Sequence, residues 1–339
     1  MLGPCARELR TNMDDQQINH WPTHTFRAMG SHIQLWLDTD EPTARMAFRS
    51  AQAIFENVES ALSRFDPASE LGQLNAKPDQ WIAVSPLLWI VLERALALAG
   101  ETGGLFDPAI LPALERAGYT RDFASVKVAS LKRGGEIASV KAAPPSASRW
   151  GDVQTDADRQ RVYLPRGVKI DLGGIAKGWT AERAALALSH YGACLVDAGG
   201  DLVAGDEPDG EPGWPIALSA PSADAEATPV DLLMVWLRRG SVATSGIDYR
   251  RWEHGGKPAH HVIDPRTGQP ARTDLVTATI IAADATQAEA WATTALIMGK
   301  DKALAELSRR GIAAALVDAG SGITMTAALE PYLAWRQAA

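Results

Sequence analysis

Asp171 and Lys177 bracket a glycine-containing turn, IDLGGIAK at 170–177, set between a strand-like VYLPRGVKI and a helix-like GWTAERAALALSHYG. In a tight strand-to-helix connection, Gly173 and Gly174 would only relieve steric crowding. The two charged residues suggest more, because free N–H groups and the dipole at a helix start favour an anion. A lysine there adds a point charge to a phosphate, and a bare glycine backbone can turn a carbonyl toward a metal. The turn is neither a G-x-x-x-x-G-K-[ST] phosphate loop nor a G-x-G-x-x-G fingerprint. Crowding relief and anion binding both stay open.

Other groups are weaker one at a time. Glu289 and Thr293 are four residues apart in a helical segment and so share a face. Carboxylate and hydroxyl oxygens suit a hard cation such as Mg²⁺; an exposed glutamate beside a threonine bonded to its own backbone explains the same spacing. HHVIDPRTG at 260–268 carries adjacent histidines that point to opposite sides of an extended segment, which argues against joint metal binding. One inward histidine suits general-base work, and a structural histidine fits equally well. ATSG at 243–246, FDPAILPAL at 106–114 and FRAMGS at 26–31 are uninformative singly.

The elements that must position these residues follow from periodicity. A helix is expected from about Pro42, with Phe48, Ala51, Phe55, Val58 and Leu62 on its buried face. Ser85-Pro86 opens another, closed by Gly100. The helix after the glycine turn is expected to run to about Tyr191, with Gly192 as its stop. ATQAEAWATTALIM is strongly helical and ends at Gly299. CLVDAGGDLVAG reads as strand, turn and strand, and its near-echo ALVDAGSGITMT as the same solution reused. KAAPPSAS reads as a loop, and 205–230, rich in Gly, Pro, Asp and Ala, as an exposed excursion. Strands and helices alternate without a βαβ rhythm, so the expected class is α+β with mixed sheets and packed helices.

Composition narrows the function classes. A chain of 339 residues has room for one large domain or two ordinary ones. A formal charge of -8 argues against nucleic-acid binding, which needs a basic face. No apolar run is long enough to span a bilayer. Cys5 and Cys194 make no disulfide framework. The N-terminal segment has no apolar core of a secretory signal, so a cytoplasmic location is expected. Residues 1–25 are expected to be a disordered tail, with the fold starting near Phe26 and running through 26–339.

The order of the motifs is more specific than any one of them. AMGS, SRFDPASELGQLN, GLFDPAILP, IDLGGIAKG, LVDAGGDL, ATSG, HHVIDPRTG and a helix ending ALIMG succeed one another in a series that resembles the ApbE family, the FAD:protein FMN transferases. The resemblance runs from about Phe26 to Gly299 and on toward the C-terminus. It implies an ApbE-like fold, FAD as substrate, Mg²⁺ as cofactor, and a flavoprotein acceptor with a Thr or Ser in a short motif. By matching motifs, Asp171 and Lys177 contact the flavin nucleotide, while Met29, Phe65, Leu105, Phe106, Asp107 and Ile263 line the FAD pocket. Gly174 lends its carbonyl to the metal beside Glu289 and Thr293, and His261 and Lys177 serve catalysis. Three departures stand out. Glu289 replaces an aspartate, Phe65 stands where a tyrosine is common, and ERAGYT follows FDPAILPAL where a tryptophan-containing segment is common. The rival readings are a hydrolase that splits FAD into FMN and AMP, and a non-catalytic FAD-binding protein.

Overall fold

Alternation in SHIQLWL puts Ile33, Leu35 and Leu37 on one face of a strand, all completely buried. In the computed structural model, which describes residues 21–121, 148–221, 230–248, 250–254 and 256–336, that strand belongs to an eight-stranded sheet. Its members are β1 (Thr23–Ala28), β2 (Ser31–Leu37), β3 (Cys194–Ala198), β4 (Leu202–Ala204), β5 (Gly240–Gly246), β6 (Leu275–Ala282), β7 (Ala313–Asp318) and β8 (Ile323–Met325). Sheet order equals chain order, and every neighbouring pair is antiparallel. The β1–β2 connection turns on Met29 (φ 52°) and Gly30 (φ 69°), the left-handed pair that a two-residue hairpin needs.

The helices are α1 (Glu41–Leu62), α2 (Glu70–Asn75), α3 (Pro86–Glu101), α4 (Leu111–Arg116), α5 (Ala176–Leu188), α6 (Ala285–Met298) and α7 (Lys300–Arg310). One face of the sheet packs on α1 and α5, with Phe48, Phe55, Ala181 and Leu188 against Ile33, Leu35 and Val196. Farther along the same face, Ala288, Trp291, Ala292 and Ala295 of α6 meet Ala243, Ala278, Ile280 and Leu316. The opposite face carries a three-stranded sheet, Trp214–Ser219, Asp231–Leu237 and Leu333–Arg336. Both faces of the main sheet are therefore covered, which is why all of CLVDA is buried. A separate core of Leu71, Leu88, Leu92, Val162, Leu164, Ile170 and Leu172 lies beneath the glycine turn.

The α+β class and the major helices agree with the sequence reading, and both VDAG segments are hairpins of the same sheet, β3–β4 and β7–β8. Three expectations need correction. The segment 205–230 is not simply an exposed excursion, because Trp214–Ser219 is a strand and Trp214 is almost wholly buried. Order begins before Phe26: β1 starts at Thr23, and Trp21 is buried with its ring centroid 4.7 Å from that of Trp214. The helix expected to reach Tyr191 ends at Leu188. Residues 1–20 and most of KAAPPSAS lie outside the described residues. Among the described residues, no helix is long and apolar enough to cross a membrane.

Candidate active site

Helix α6 begins at Asp284, whose carboxylate accepts from the Gln287 N–H at 2.9 Å. It is buried almost all round, so Glu289, only 5% exposed, needs partners inside the protein. It finds them on the first turn of α5. Lys177 Nζ lies 2.9 Å from Glu289 Oε1, and the Gly178 N–H donates to Glu289 Oε2 at 3.0 Å. The free N–H groups of a helix start thus hold an anion, and here that anion is the protein's own glutamate. Glycine at 178 permits the approach: a Cβ there would stand 2.6 Å from Glu289 Oε2.

Lys177 also pairs with Asp201, from the β3–β4 hairpin. Burial pushes the Glu289 carboxyl upward, Lys177 pulls it back, and Asp201 adds repulsion. Burial alone would lower the Lys177 ammonium, but Asp201 and Glu289 outweigh it and hold its pKa above the ordinary lysine value. One turn along α6, Thr293 Oγ1 lies 3.0 Å from Ser245 Oγ, which ties the helix to the ATSG segment of β5. Beside this network His261 is half-buried, and its Nδ1 is buried without a hydrogen-bond partner. Burial, then Arg250, His260 and Lys177, holds its pKa well below the ordinary histidine value, so the imidazole is neutral.

On the other side of the turn, Asp171 is spoken for within the protein. Its Oδ1 accepts from the Gly173 N–H at 2.8 Å, and its Oδ2 lies 3.2 Å from Arg64 Nε. The Arg64 guanidinium lies 4.1 Å from the Phe65 ring centroid and 4.6 Å from that of Tyr119, and it donates to the Tyr119 carbonyl. Tyr119, from the departing ERAGYT segment, also packs on Trp252. Phe106 lies against the turn, where a Cβ at Gly174 would meet it at 3.0 Å. Asp107 accepts from the Ala109 N–H and from Ser148 Oγ, each at 2.7 Å, and burial raises its pKa. Met29, Leu105 and Ile263 pack into apolar clusters.

The structure joins Lys177 and Glu289 in one network and sets His261 beside it, while Thr293, one turn along α6, bonds instead to Ser245; Gly174 and Phe106 meet at the turn, and Arg64 connects Phe65 to Asp171. Asp201, Gly178, Ser245 and Arg64 are the participants that the sequence reading did not single out. Each lay inside a quoted motif, but nothing in the motif told its side chain's partner. Among the described residues, no group of three or more His, Cys, Asp or Glu side chains converges to hold a metal. The donors present are the carboxylates of Asp201 and Glu289, both oxygen, around a point already occupied by an ammonium, with the Thr293 hydroxyl one turn along α6 from Glu289. That set fits a hard cation that draws its remaining ligands from water and phosphate.

Comparison with known proteins identifies the family. The chain is 30% identical over 307 residues to the FAD:protein FMN transferase of Treponema pallidum, covering 82% of this chain and 79% of that protein. It is 28% identical to the enzyme of the same name from Escherichia coli K12, covering 76% and 70%. The crystal structure of the ApbE protein of Thermotoga maritima superposes with a TM-score of 0.78 at 27% identity, covering 92% of this chain and 99% of that one. The apo form of the Pseudomonas stutzeri flavinyl transferase ApbE gives 0.75 at 25% identity, covering 94% and 98%. The sequence profile of the ApbE family matches residues 29–328, from the Met29 turn through α6 and the sheet beyond it, and the chain belongs to the ApbE family.

Proposed function

We propose that this protein is a Mg²⁺-dependent FAD:protein FMN transferase that moves FMN from FAD to a threonine or serine hydroxyl of a flavoprotein and releases AMP. The observation that carries the reading is the meeting of Lys177, Asp201, Glu289 and a neutral His261 at a glycine turn, in a chain of this family. In the transfer, a bond forms between the acceptor oxygen and the phosphorus of the FMN moiety. The bond from that phosphorus to the bridging oxygen breaks, and AMP leaves with that oxygen. Such chemistry depends mainly on positioning and charge neutralisation.

The residues take the following roles. Lys177 neutralises phosphate charge. His261 takes the acceptor proton, since its lowered pKa keeps the ring neutral and able to accept one. Asp171, held by Arg64, fixes the turn against which the nucleotide lies. Met29, Phe65, Leu105, Phe106, Asp107 and Ile263 line the FAD pocket. Glu289, with Thr293, the Gly174 carbonyl and the adjacent Asp201, would hold Mg²⁺, which would supply Lewis-acid stabilisation of the developing phosphate charge.

The test is incubation with FAD and Mg²⁺, with and without a co-expressed candidate flavoprotein, followed by AMP assay and intact-protein mass spectrometry. Acceptor-dependent AMP release with covalent FMN on a threonine or serine is expected. Rapid AMP release without acceptor would establish FAD hydrolysis instead, and tight FAD retention without turnover at any Mg²⁺ concentration would establish a binding protein.

A further inference from the structure

We infer that Lys177 is an internal counter-cation which occupies the metal position between Asp201 and Glu289, and that it must be displaced toward phosphate before a divalent cation binds. The inference rests on the proposed reading of this site as a Mg²⁺–FAD site, and it adds an order to it. Metal entry and diphosphate binding are coupled through one side chain.

The geometry supports this in three ways. First, one ammonium serves both acids: Lys177 contacts Asp201 and lies 2.9 Å from Glu289 Oε1, with the three side chains only 14%, 9% and 5% exposed. A cation ligated by the same oxygens, at about 2.1 Å for Mg²⁺, would stand against the ammonium. Water is too scarce there to screen two positive charges. Second, the two carboxyl groups supply at most two negative charges, so a divalent cation beside the lysine would leave a net positive charge in a buried site. Third, Glu289 does not depend on the lysine for its place. The Gly178 N–H holds Oε2 at 3.0 Å, so one oxygen stays fixed when the ammonium departs.

The lysine also has somewhere to go. It sits on the first turn of α5, on a flexible four-carbon stem whose ammonium can turn toward a neighbouring phosphate. A diphosphate arriving there offers the ammonium a new partner and releases the carboxylates. Without nucleotide, the metal must break two buried ion pairs itself. Weak metal binding to the free protein and mutual strengthening of metal and nucleotide follow by linkage.

The test uses the full chain without nucleotide, with Mn²⁺ as the probe and free Mn²⁺ followed by electron paramagnetic resonance. Lys177→Met is expected to bind Mn²⁺ roughly tenfold or more tightly than the wild type. Equal or weaker binding by the variant would overturn the inference while leaving a metal site in place. No Mn²⁺ bound by either protein, even with FAD added, would instead overturn the metal reading beneath it.

Loss of the lysine leaves two acids together and threatens folding, so a second readout uses the wild type alone. Under limiting amine acylation mapped by peptide mass spectrometry, Lys177 is expected to be protected without metal. It should become roughly tenfold more reactive, relative to other lysines, once Mn²⁺ saturates the site. Unchanged protection at saturating Mn²⁺ would refute the displacement.

Discussion

Gly178→Ala tests the junction of α5 and α6 with the smallest possible addition. The new methyl would stand 2.6 Å from Glu289 Oε2 and 3.1 Å from both Ala285 Cβ and Glu289 Cδ, where contacts under 3.0 Å are essentially never seen. The helices are fixed by the cores on either side, so the carboxylate is the part that yields. Alanine gains about 1 kcal/mol over glycine in a helix, while overpacking costs about 1–3 kcal/mol. The net loss of stability, about 0–2 kcal/mol, leaves a folded protein. Displacing a carboxylate from its seat on the Gly178 N–H is far costlier to function, on the order of 10–100-fold in kcat/KM, because misplacement near 1 Å can cost 10²-fold. Urea denaturation measures the first quantity, and AMP release with a flavoprotein acceptor the second. Combining Gly178→Ala with Glu289→Asp removes one methylene from the colliding arm, so activity should recover part of the way, with strong non-additivity. Wild-type activity in Gly178→Ala, or additive losses in the double variant, would refute the account of Gly178 as the seat of Glu289.

Three further outcomes follow from the structure. Arg64→Ala leaves the buried Asp171 carboxylate without its cation and should cost about 3 kcal/mol in urea denaturation; Arg64→Lys should recover little, since an ammonium cannot pair with Asp171 while stacking on Phe65 and Tyr119. Asp107 has a raised folded pKa, so its contribution to stability is fully present below the ordinary carboxylate value of 3.8 and is lost as pH rises through the folded value. Asp107→Asn removes the titrating group, so its stability relative to wild type should rise with pH across that window; a difference independent of pH would contradict the burial argument. Trp214→Ala should cost about 3–5 kcal/mol by thermal or chemical denaturation, because the indole is buried between the two sheets and donates to the Asp206 carbonyl.

The sequence alone determined what depends on neighbours a few residues away. Gly299 closes α6, Ser85-Pro86 opens α3, and the apolar steps from Phe48 to Leu62 mark the buried face of α1. Motif order was legible too, because each motif is a short contiguous string that can be read in place, and the series pointed to the family whose profile matches residues 29–328. Tertiary structure alone decided the burial of Trp214–Ser219, whose Pro- and Gly-rich surroundings suggest exposure until the strand pairs with Asp231–Leu237 and closes over the main sheet. It also decided the charge partners. Lys177 reaches Asp201 across 24 residues and Glu289 across 112, and Arg64 reaches Asp171 from the far side of the turn. Turns and caps are local agreements between backbone and side chain, so they can be read in place. A buried charge is satisfied by whichever opposite charge the packing of distant elements delivers, and that is known only when those elements have met.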